Sequence, residues 1–246
     1  MKFASAFLAL VIAVPGLAST AEAAVPVSIA KAVQDSTRPK EQRDLDAVRK
    51  PSEVLSFAGI KPGQIVAEYL PGGGYYTRML SDIVGPKGKV FALETTRWGK
   101  DNIAATQAVL KEPGRGNVTL DLAPLGNFNL PEKVDVFWTS LNYHDLHVAK
   151  YANVDMGAFN RHVFDSLKPG GIYFIIDHQA KAGTGSNDSA TLHRIEKDAV
   201  VREVSAAGFK LAGTSDLLRN ASDDHSKPVF DLHFKTDQFI LKFRRP

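Results

Sequence analysis

The stretch that decides the fold is Val66-Ala67-Glu68-Tyr69-Leu70-Pro71-Gly72-Gly73-Gly74-Tyr75-Tyr76-Thr77. An apolar strand runs into a glycine-rich turn, and the turn runs into a helix. Glycine takes positive φ at little cost and lets a ligand approach the main chain closely. The strand covers 65–69. The helix covers 75–84, with apolar residues at Met79, Leu80, Ile83 and Val84. Their spacing places them on one helical face.

Outward from this stretch, strand and helix alternate. Upstream, Pro51-Ser52-Glu53 starts a helix through Val54, Leu55 and Phe57, which ends near Gly59. Downstream, strands are expected over 90–94, 118–120, 134–138 and 172–176, a sixth opening at 208–211, and a last one over 239–243. Helices are expected over 101–110, within 151–167 and over 192–207. Strands separated by helices imply parallel crossovers. The last two strands have no helix between them and should form an antiparallel hairpin at one edge. The expected fold is α/β: a Rossmann-like, seven-stranded, mostly parallel sheet with helices on both faces and an antiparallel C-terminal hairpin.

Composition agrees with one globular domain. Of 246 residues, 44% are hydrophobic and 23% charged, and the net charge is only +3. There is no basic block, so nucleic acid is not an expected partner. Cysteine is absent, which excludes disulfides, thiol nucleophiles, cysteine-based metal sites and a lipoprotein anchor. Residues 1–23 read as a secretory signal: Lys2, an apolar run from Phe7 to Val14, a Pro15-Gly16 break and a small-x-small site at Ala21-Glu22-Ala23. The apolar run is too short to be a permanent membrane anchor. The expected organisation is a signal over 1–23, a helical extension over 24–58 and the main domain over 59–246, in an exported protein of the periplasm or extracellular space.

In open α/β sheets ligands bind beyond the carboxyl ends of the strands. Glu94 ends the second strand, 20 residues beyond Gly74, where a carboxylate can accept both hydroxyls of a ribose. A dinucleotide fingerprint fails, because Thr77 stands where its last glycine should be. S-adenosylmethionine, which has no pyrophosphate, is the other cofactor class that uses such a loop. Glu68 could reach its cationic amino group.

These residues resemble the class I S-adenosylmethionine-dependent methyltransferases. The resemblance runs over most of the chain after Pro51, through Glu68 to Gly74, Glu94, Asp121 and the Leu167-Lys168-Pro169-Gly170-Gly171 turn. More narrowly, the chain resembles a group of exported bacterial predicted methyltransferases. Its marks are Pro-Gly-Gly-Gly-Tyr-Tyr-Thr at Pro71, Asn-Tyr-His-Asp at Asn142, Leu-His-Arg-Ile at Leu192 and Thr-Asp-x-Phe-x-Leu-Lys-Phe at Thr236. The resemblance implies cofactor contacts from Glu68, Leu70, Pro71, Gly72, Gly73, Gly74, Thr77, Glu94, Asp121 and Asn142. One departure stands out: Leu70 occupies the position of a family glycine, and its side chain could narrow the space beside the cofactor. Asp121 has a second reading, as the start of the loop that follows.

The fourth strand leads into Asn142-Tyr143-His144-Asp145-Leu146-His147 and the fifth into Asp177-His178. Neighbouring strands would bring His144, Asp145, Asp177 and His178 together as candidate catalytic residues. Histidine suits the base role, and an aspartate beside it fixes its tautomer. The same groups, with His147, could instead hold a divalent ion, although no standard metal motif is matched. His193 and Arg194 either face the cleft or lie on a solvated helix face, while His162 and His233 read as ordinary surface or half-buried residues. The charged segment with Arg43, Asp44, Arg49 and Lys50 is either a salt-bridged surface or a lid. The loop over 181–189 reads as a possible gate.

Three readings stand at this point. One is a methyltransferase acting on a small-molecule acceptor. Another is a ligand-binding protein on the same fold, and the third is a metal-dependent enzyme. The export signal pulls against the first, because S-adenosylmethionine is made with ATP in the cytosol.

Overall fold

The computed structural model describes residues 24–98 and 100–246. The signal segment expected over 1–23 therefore lies outside the described residues. Among those residues, no helix is long and apolar enough to cross a membrane.

Seven strands form one sheet: β1 (Ile65–Tyr69), β2 (Lys89–Thr95), β3 (Val118–Ala123), β4 (Val134–Ser140), β5 (Leu167–His178), β6 (Lys210–Ser215) and β7 (Gln238–Arg244), in the order β3-β2-β1-β4-β5-β7-β6. The first five pair in parallel, and β7 lies antiparallel between β5 and β6. The expected C-terminal antiparallel pair is present at the edge. Its strands are joined by a long connection over 216–237, which contains a 3-10 turn (Val229–Leu232), and not by a tight turn.

Alternation along the strands divides the core into two layers, because successive side chains point to opposite faces. Ala67, Tyr69, Phe137, Tyr173 and Ile175 face one layer, covered by Phe159 and Val163 of α7 (Met156–Ser166) and Val200 and Val204 of α8 (Lys197–Ala206). Val66, Val136, Trp138, Phe174 and Ile176 face the other. That layer is covered by Met79, Leu80 and Ile83 of α5 (Tyr75–Val84), Val54 and Leu55 of α4 (Pro51–Ala58), and Ile29 and Ala32 of α1 (Val27–Val33). The N-terminal extension thus shares the main core. Trp138 stacks on Phe174 at 4.5 Å between ring centroids, which ties β4 to β5 through large buried rings.

Three sequence expectations shift. The third strand runs to Ala123, so Asp121 lies inside it and not after it. Asp177 and His178 end β5 instead of following it. The helix expected from residue 192 begins at Lys197. The backbone of Ile195 bonds to the carbonyl of His178 and to the N–H of Ala180, in a parallel bridge with Gln179, so these residues extend the sheet and cannot join the helix.

Successive strands are added outward in one direction up to β3 and in the other from β4, so the order reverses between β1 and β4. This switch point is where an open α/β sheet leaves a crevice at its carboxyl edge. Register then fixes what converges there. Tyr69 lies level with Leu93 and Thr139, and Ser140 lies level with Ile176. The next residues outward are Leu70, Glu94, Leu141 and Asp177.

Candidate functional site

The β1–α5 loop begins at Leu70, whose N–H donates to the carbonyl of Leu93 at 2.8 Å. Leu70 takes φ 54°, in the left-handed region, and its side chain packs against the sheet layer that holds Tyr69. Leucine therefore holds a glycine-like backbone here, at a strain of roughly 1–2 kcal/mol. Pro71 accepts from Gly74 N–H at 3.0 Å, which closes the turn. Gly74 takes φ 74°, and a Cβ there would stand 2.5 Å from Val109 of α6 (Lys100–Leu110). This close packing demands glycine. Nothing lies within 4 Å of a Cβ built on Gly72, so that stretch of main chain is open to approach. Gly73 is covered on one side: its carbonyl accepts from Gln42 Nε2 at 2.7 Å and from an Arg78 Nη1 at 2.8 Å. Gln42 belongs to α2 (Lys40–Arg43) in the N-terminal extension.

Two buried carboxylates stand behind the loop. Glu68 accepts from Thr77 Oγ1 at 2.6 Å. Burial raises it to about 7; the neighbouring Glu94 charge adds to the rise, and the Thr77 bond and Arg78 oppose it. Glu94 is also raised by burial, against hydrogen bonds from the N–H groups of Thr95 and Gly72 and from the Thr106 hydroxyl. It accepts from Thr95 N–H at 2.8 Å and from Thr106 Oγ1 at 3.3 Å, and Thr106 also donates to the Gly72 carbonyl at 3.0 Å. The Glu94 carboxylate is thus fastened to the glycine loop.

Asp121 takes its structural reading. Its Oδ2 accepts from Asn129 N–H at 2.9 Å and holds the loop that follows β3. Asn142 joins the two halves of the edge. Its Nδ2 donates to the carbonyls of Tyr69 at 3.0 Å and Leu70 at 3.3 Å, and its Oδ1 accepts from Thr139.

Beyond Asn142, a 3-10 turn (His144–His147) brings His144 against the end of β5. His144 Nδ1 lies 2.7 Å from Asp177 Oδ1, and its backbone N–H donates to Asp177 Oδ2 at 2.8 Å. A carboxylate can only accept, so Nδ1 carries the proton and Nε2 faces outward. Burial opposes charge on His144, yet the Asp177 charge and hydrogen bond, with Asp145, carry it above its ordinary value. Burial pushes the other way on Asp177, but His144 and His178 hold it below the usual carboxylate range. Asp145 is raised to about 6 by burial, against the pull of His144.

His178 does not join this pair chemically. Its Nδ1 pairs with Thr236 Oγ1 at 2.8 Å, and burial lowers it to about 3, so the ring stays neutral. His147 turns away, with Nε2 3.2 Å from Glu203. His193 takes its place. Its Nδ1 stands 3.3 Å from His144 Nε2 and 3.5 Å from Asp145 Oδ1. His193 has φ 54° and sits in the turn before α8 rather than on a helix face. Arg194 beside it is fully buried and anchors that turn. It donates to the carbonyls of Gln179 and Lys227 and pairs with Asp223 at 2.9 Å. His144, Asp145, His178 and His193, with Leu141, Tyr151, Val229 and Phe230, line a cavity of about 280 Å³. Tyr151, Val229 and Phe230 carried no motif in the sequence; only the fold brings them here.

The N-terminal charged segment packs on the loop side. Tyr75 OH donates to Asp46 at 2.7 Å, Asp46 also pairs with the buried Arg38 at 2.8 Å, and the Arg49 guanidinium lies 4.5 Å from the Tyr75 ring centre. Of the charged residues named for that segment, Asp44 pairs with Lys40, Arg43 donates to the Arg38 carbonyl and Lys50 to the Leu217 carbonyl, while Arg49 lies over the Tyr75 ring.

The sequence matches no protein-family model and no curated protein. The fold has many solved neighbours. An S-adenosylmethionine-dependent methyltransferase from Aquifex aeolicus aligns over 82% of this chain and 93% of its own, with TM-score 0.62 at 19% identity. The glycopeptide N-methyltransferase MtfA, complexed with sinefungin, aligns over 84% and 86%, with TM-score 0.55 at 18% identity. The [4+2]-cyclase SpnF aligns over 81% of both chains, with TM-score 0.58 at 16% identity. The chain therefore has the Rossmann-like fold of the class I methyltransferases.

Proposed function

We propose that the chain binds S-adenosylmethionine at the β1–α5 loop and transfers its methyl group to a small acceptor held in the histidine cavity. The observation that carries this reading is the buried Glu94 carboxylate at the end of β2, beside the switch point, which meets the Thr106 hydroxyl that also reaches the Gly72 carbonyl. A carboxylate in that place suits the hydroxyls of a ribose. The open main chain at Gly72 admits a ligand. Glu68, buried behind the loop and readily ionised beside a cation, suits an amino group. The residues present fit the cofactor. Fold alone does not fix the reaction, as the cyclase among the neighbours illustrates.

When bound, the cofactor supplies a methyl group on a sulfonium sulfur. The chain supplies position, which accounts for much of the acceleration in such transfers. Asn142, tied to the carbonyls of Tyr69 and Leu70, fixes the loop against the turn that carries His144. His144, with its Nδ1 proton held by Asp177, turns Nε2 toward the cavity and can take a proton from an acceptor that carries one. Tyr151 and Phe230 give that cavity aromatic walls suited to a small, partly apolar molecule. We infer from residues 1–23 that the protein works outside the cytosol, in a compartment that must then provide the cofactor.

Thermal unfolding tests the cofactor reading. S-adenosylhomocysteine at 100 times its Kd should stabilise the chain by about 2.7 kcal/mol. For a domain of this size that raises Tm by roughly 5–10 °C. A dinucleotide should give no shift. A folded chain indifferent to saturating S-adenosylhomocysteine would overturn the reading.

A further inference from the structure

We propose that His144 Nε2, His193 Nδ1 and a carboxylate oxygen of Asp145 form a binding site for one divalent cation of the zinc type, with a fourth position open to the cavity. The inference rests on the cavity alone and does not depend on a cofactor at the glycine loop.

The three atoms form a near-equilateral triangle with sides of 3.3, 3.4 and 3.5 Å. Ligand atoms about 2.0–2.1 Å from a tetrahedral zinc ion stand about 3.3–3.4 Å apart. The same bond lengths in an octahedral site would bring adjacent ligands to about 2.8–3.0 Å. The triangle matches one face of the tetrahedron. Its chemistry agrees, since two imidazoles and one carboxylate suit zinc, cobalt or ferrous iron better than magnesium or calcium.

The surroundings are those of a ligand set. A metal-bound histidine commonly donates its other ring N–H to a carboxylate, which fixes the ring and raises its basicity. Asp177 does this for His144 at 2.7 Å, and its own oxygens are otherwise taken by the backbone N–H groups of His144 and His178. His193 is held by its backbone: φ is 54°, and Arg194 next to it is locked by its ion pair with Asp223 and two carbonyls. Strain of this kind persists where the surroundings over-determine a position. Without a positive charge among them, three electron-pair donors within 3.5 Å repel one another in a partly buried place. Either a proton or a metal ion answers that demand. A bound cation takes the Nε2 lone pair that otherwise accepts a proton, so the metal-loaded cavity differs chemically from the metal-free one.

The other nearby candidates are engaged elsewhere, His178 with Thr236 and His147 with Glu203. Three protein ligands with a fourth position left over is the pattern of catalytic rather than structural zinc sites. The sequence-based set of His144, Asp145, His147, Asp177 and His178 is thereby corrected: Asp177 supports a ligand, His147 and His178 drop out, and His193 enters.

The test is calorimetric titration of Zn²⁺, and of Co²⁺ followed by visible absorption, into the purified untagged chain after treatment with a chelator. One ion per chain and the intense visible bands of tetrahedral Co²⁺ are expected. His193→Ala should weaken binding at least 100-fold, and His147→Ala should leave it unchanged. His193 is partly exposed and outside both core layers, so its variant should fold, with circular dichroism as the check. Failure of saturable binding by the folded chain, or binding that survives His193→Ala intact, would overturn the proposal and leave a shared proton as the occupant of the triangle. Titrating S-adenosylhomocysteine into the same samples separates this outcome from the fate of the cofactor reading.

Discussion

His144 and Asp177 meet through two hydrogen bonds, ring to carboxylate at 2.7 Å and backbone N–H to carboxylate at 2.8 Å, at a point that solvent barely reaches. The pair joins the turn after β4 to the last residues of β5 and sets which ring nitrogen faces the cavity. Burial favours the neutral ring, and the Asp177 carboxylate, with a smaller contribution from Asp145, reverses that preference. In Asp177→Asn the reversal should be lost. NMR titration of the imidazole should find His144 above its ordinary value in the parent chain and below it in the variant. The same apparent value in both would show that Asp177 does not govern the ring.

Glu68 makes stability depend on pH in an unusual direction. Its carboxyl sits at about 7 in the folded chain, and burial is the main cause. A carboxyl in the unfolded chain titrates near its ordinary value. Between the two, the folded state holds a proton that the unfolded state has lost, so stability falls as pH rises. The full difference is about 3 kcal/mol at 1.36 kcal/mol per pK unit. Chemical denaturation of the parent chain and Glu68→Gln at pH 5 and pH 8 isolates this group. The parent should lose about 2.5 kcal/mol relative to the variant on going to pH 8, since the unfolded carboxyl is already mostly ionised at pH 5. Parallel behaviour of the two would contradict the placement of Glu68.

Leu70 offers a test of the loop backbone. At an ordinary position glycine is less stable than alanine. At φ 54° the order should reverse, because a Cβ is penalised there. Leu70→Gly should therefore exceed Leu70→Ala in stability by about 0.5–1 kcal/mol in urea denaturation. Both variants lose the same packing against the Tyr69 layer beyond the Cβ, so the comparison is clean. Greater stability of the alanine variant would mean that the loop does not hold this conformation.

Much of this molecule is legible in its sequence, for identifiable reasons. Short apolar runs such as Val66-Ala67 and Val134 to Trp138, punctuated by turns like Lys168-Pro169-Gly170-Gly171, reveal strands through local composition. Glu68 and Glu94 stand out because charge interrupts an apolar strand end. The cavity is much less legible. His193 lies 49 positions from His144 along the chain, and its direction depends on a left-handed turn held by Arg194. The apparent start of the helix over 192–196 is a turn followed by a single bridge at Ile195 to the residue after β5, set by backbone pairing that periodicity does not encode. His147 and His178 look equivalent to His144 in sequence, yet Glu203 and Thr236 claim them through contacts between distant elements. Asp121 reads as a loop residue, because a charge follows the short apolar run 118–120, yet its strand runs on through Leu122 to Ala123.

The central claim is that Glu94 and the glycine loop hold S-adenosylmethionine, and calorimetric titration of S-adenosylhomocysteine into the parent chain and into Glu94→Ala tests it most directly. The variant's fold is checked beforehand, because Glu94 also accepts hydrogen bonds from Thr95 and Thr106. The account predicts saturable binding at one site per chain, weakened about 100-fold in Glu94→Ala, as expected for the loss of charge-assisted hydrogen bonds worth about 1.5–3 kcal/mol each. No heat of binding to the folded parent chain, or equal affinity in both proteins, would contradict it.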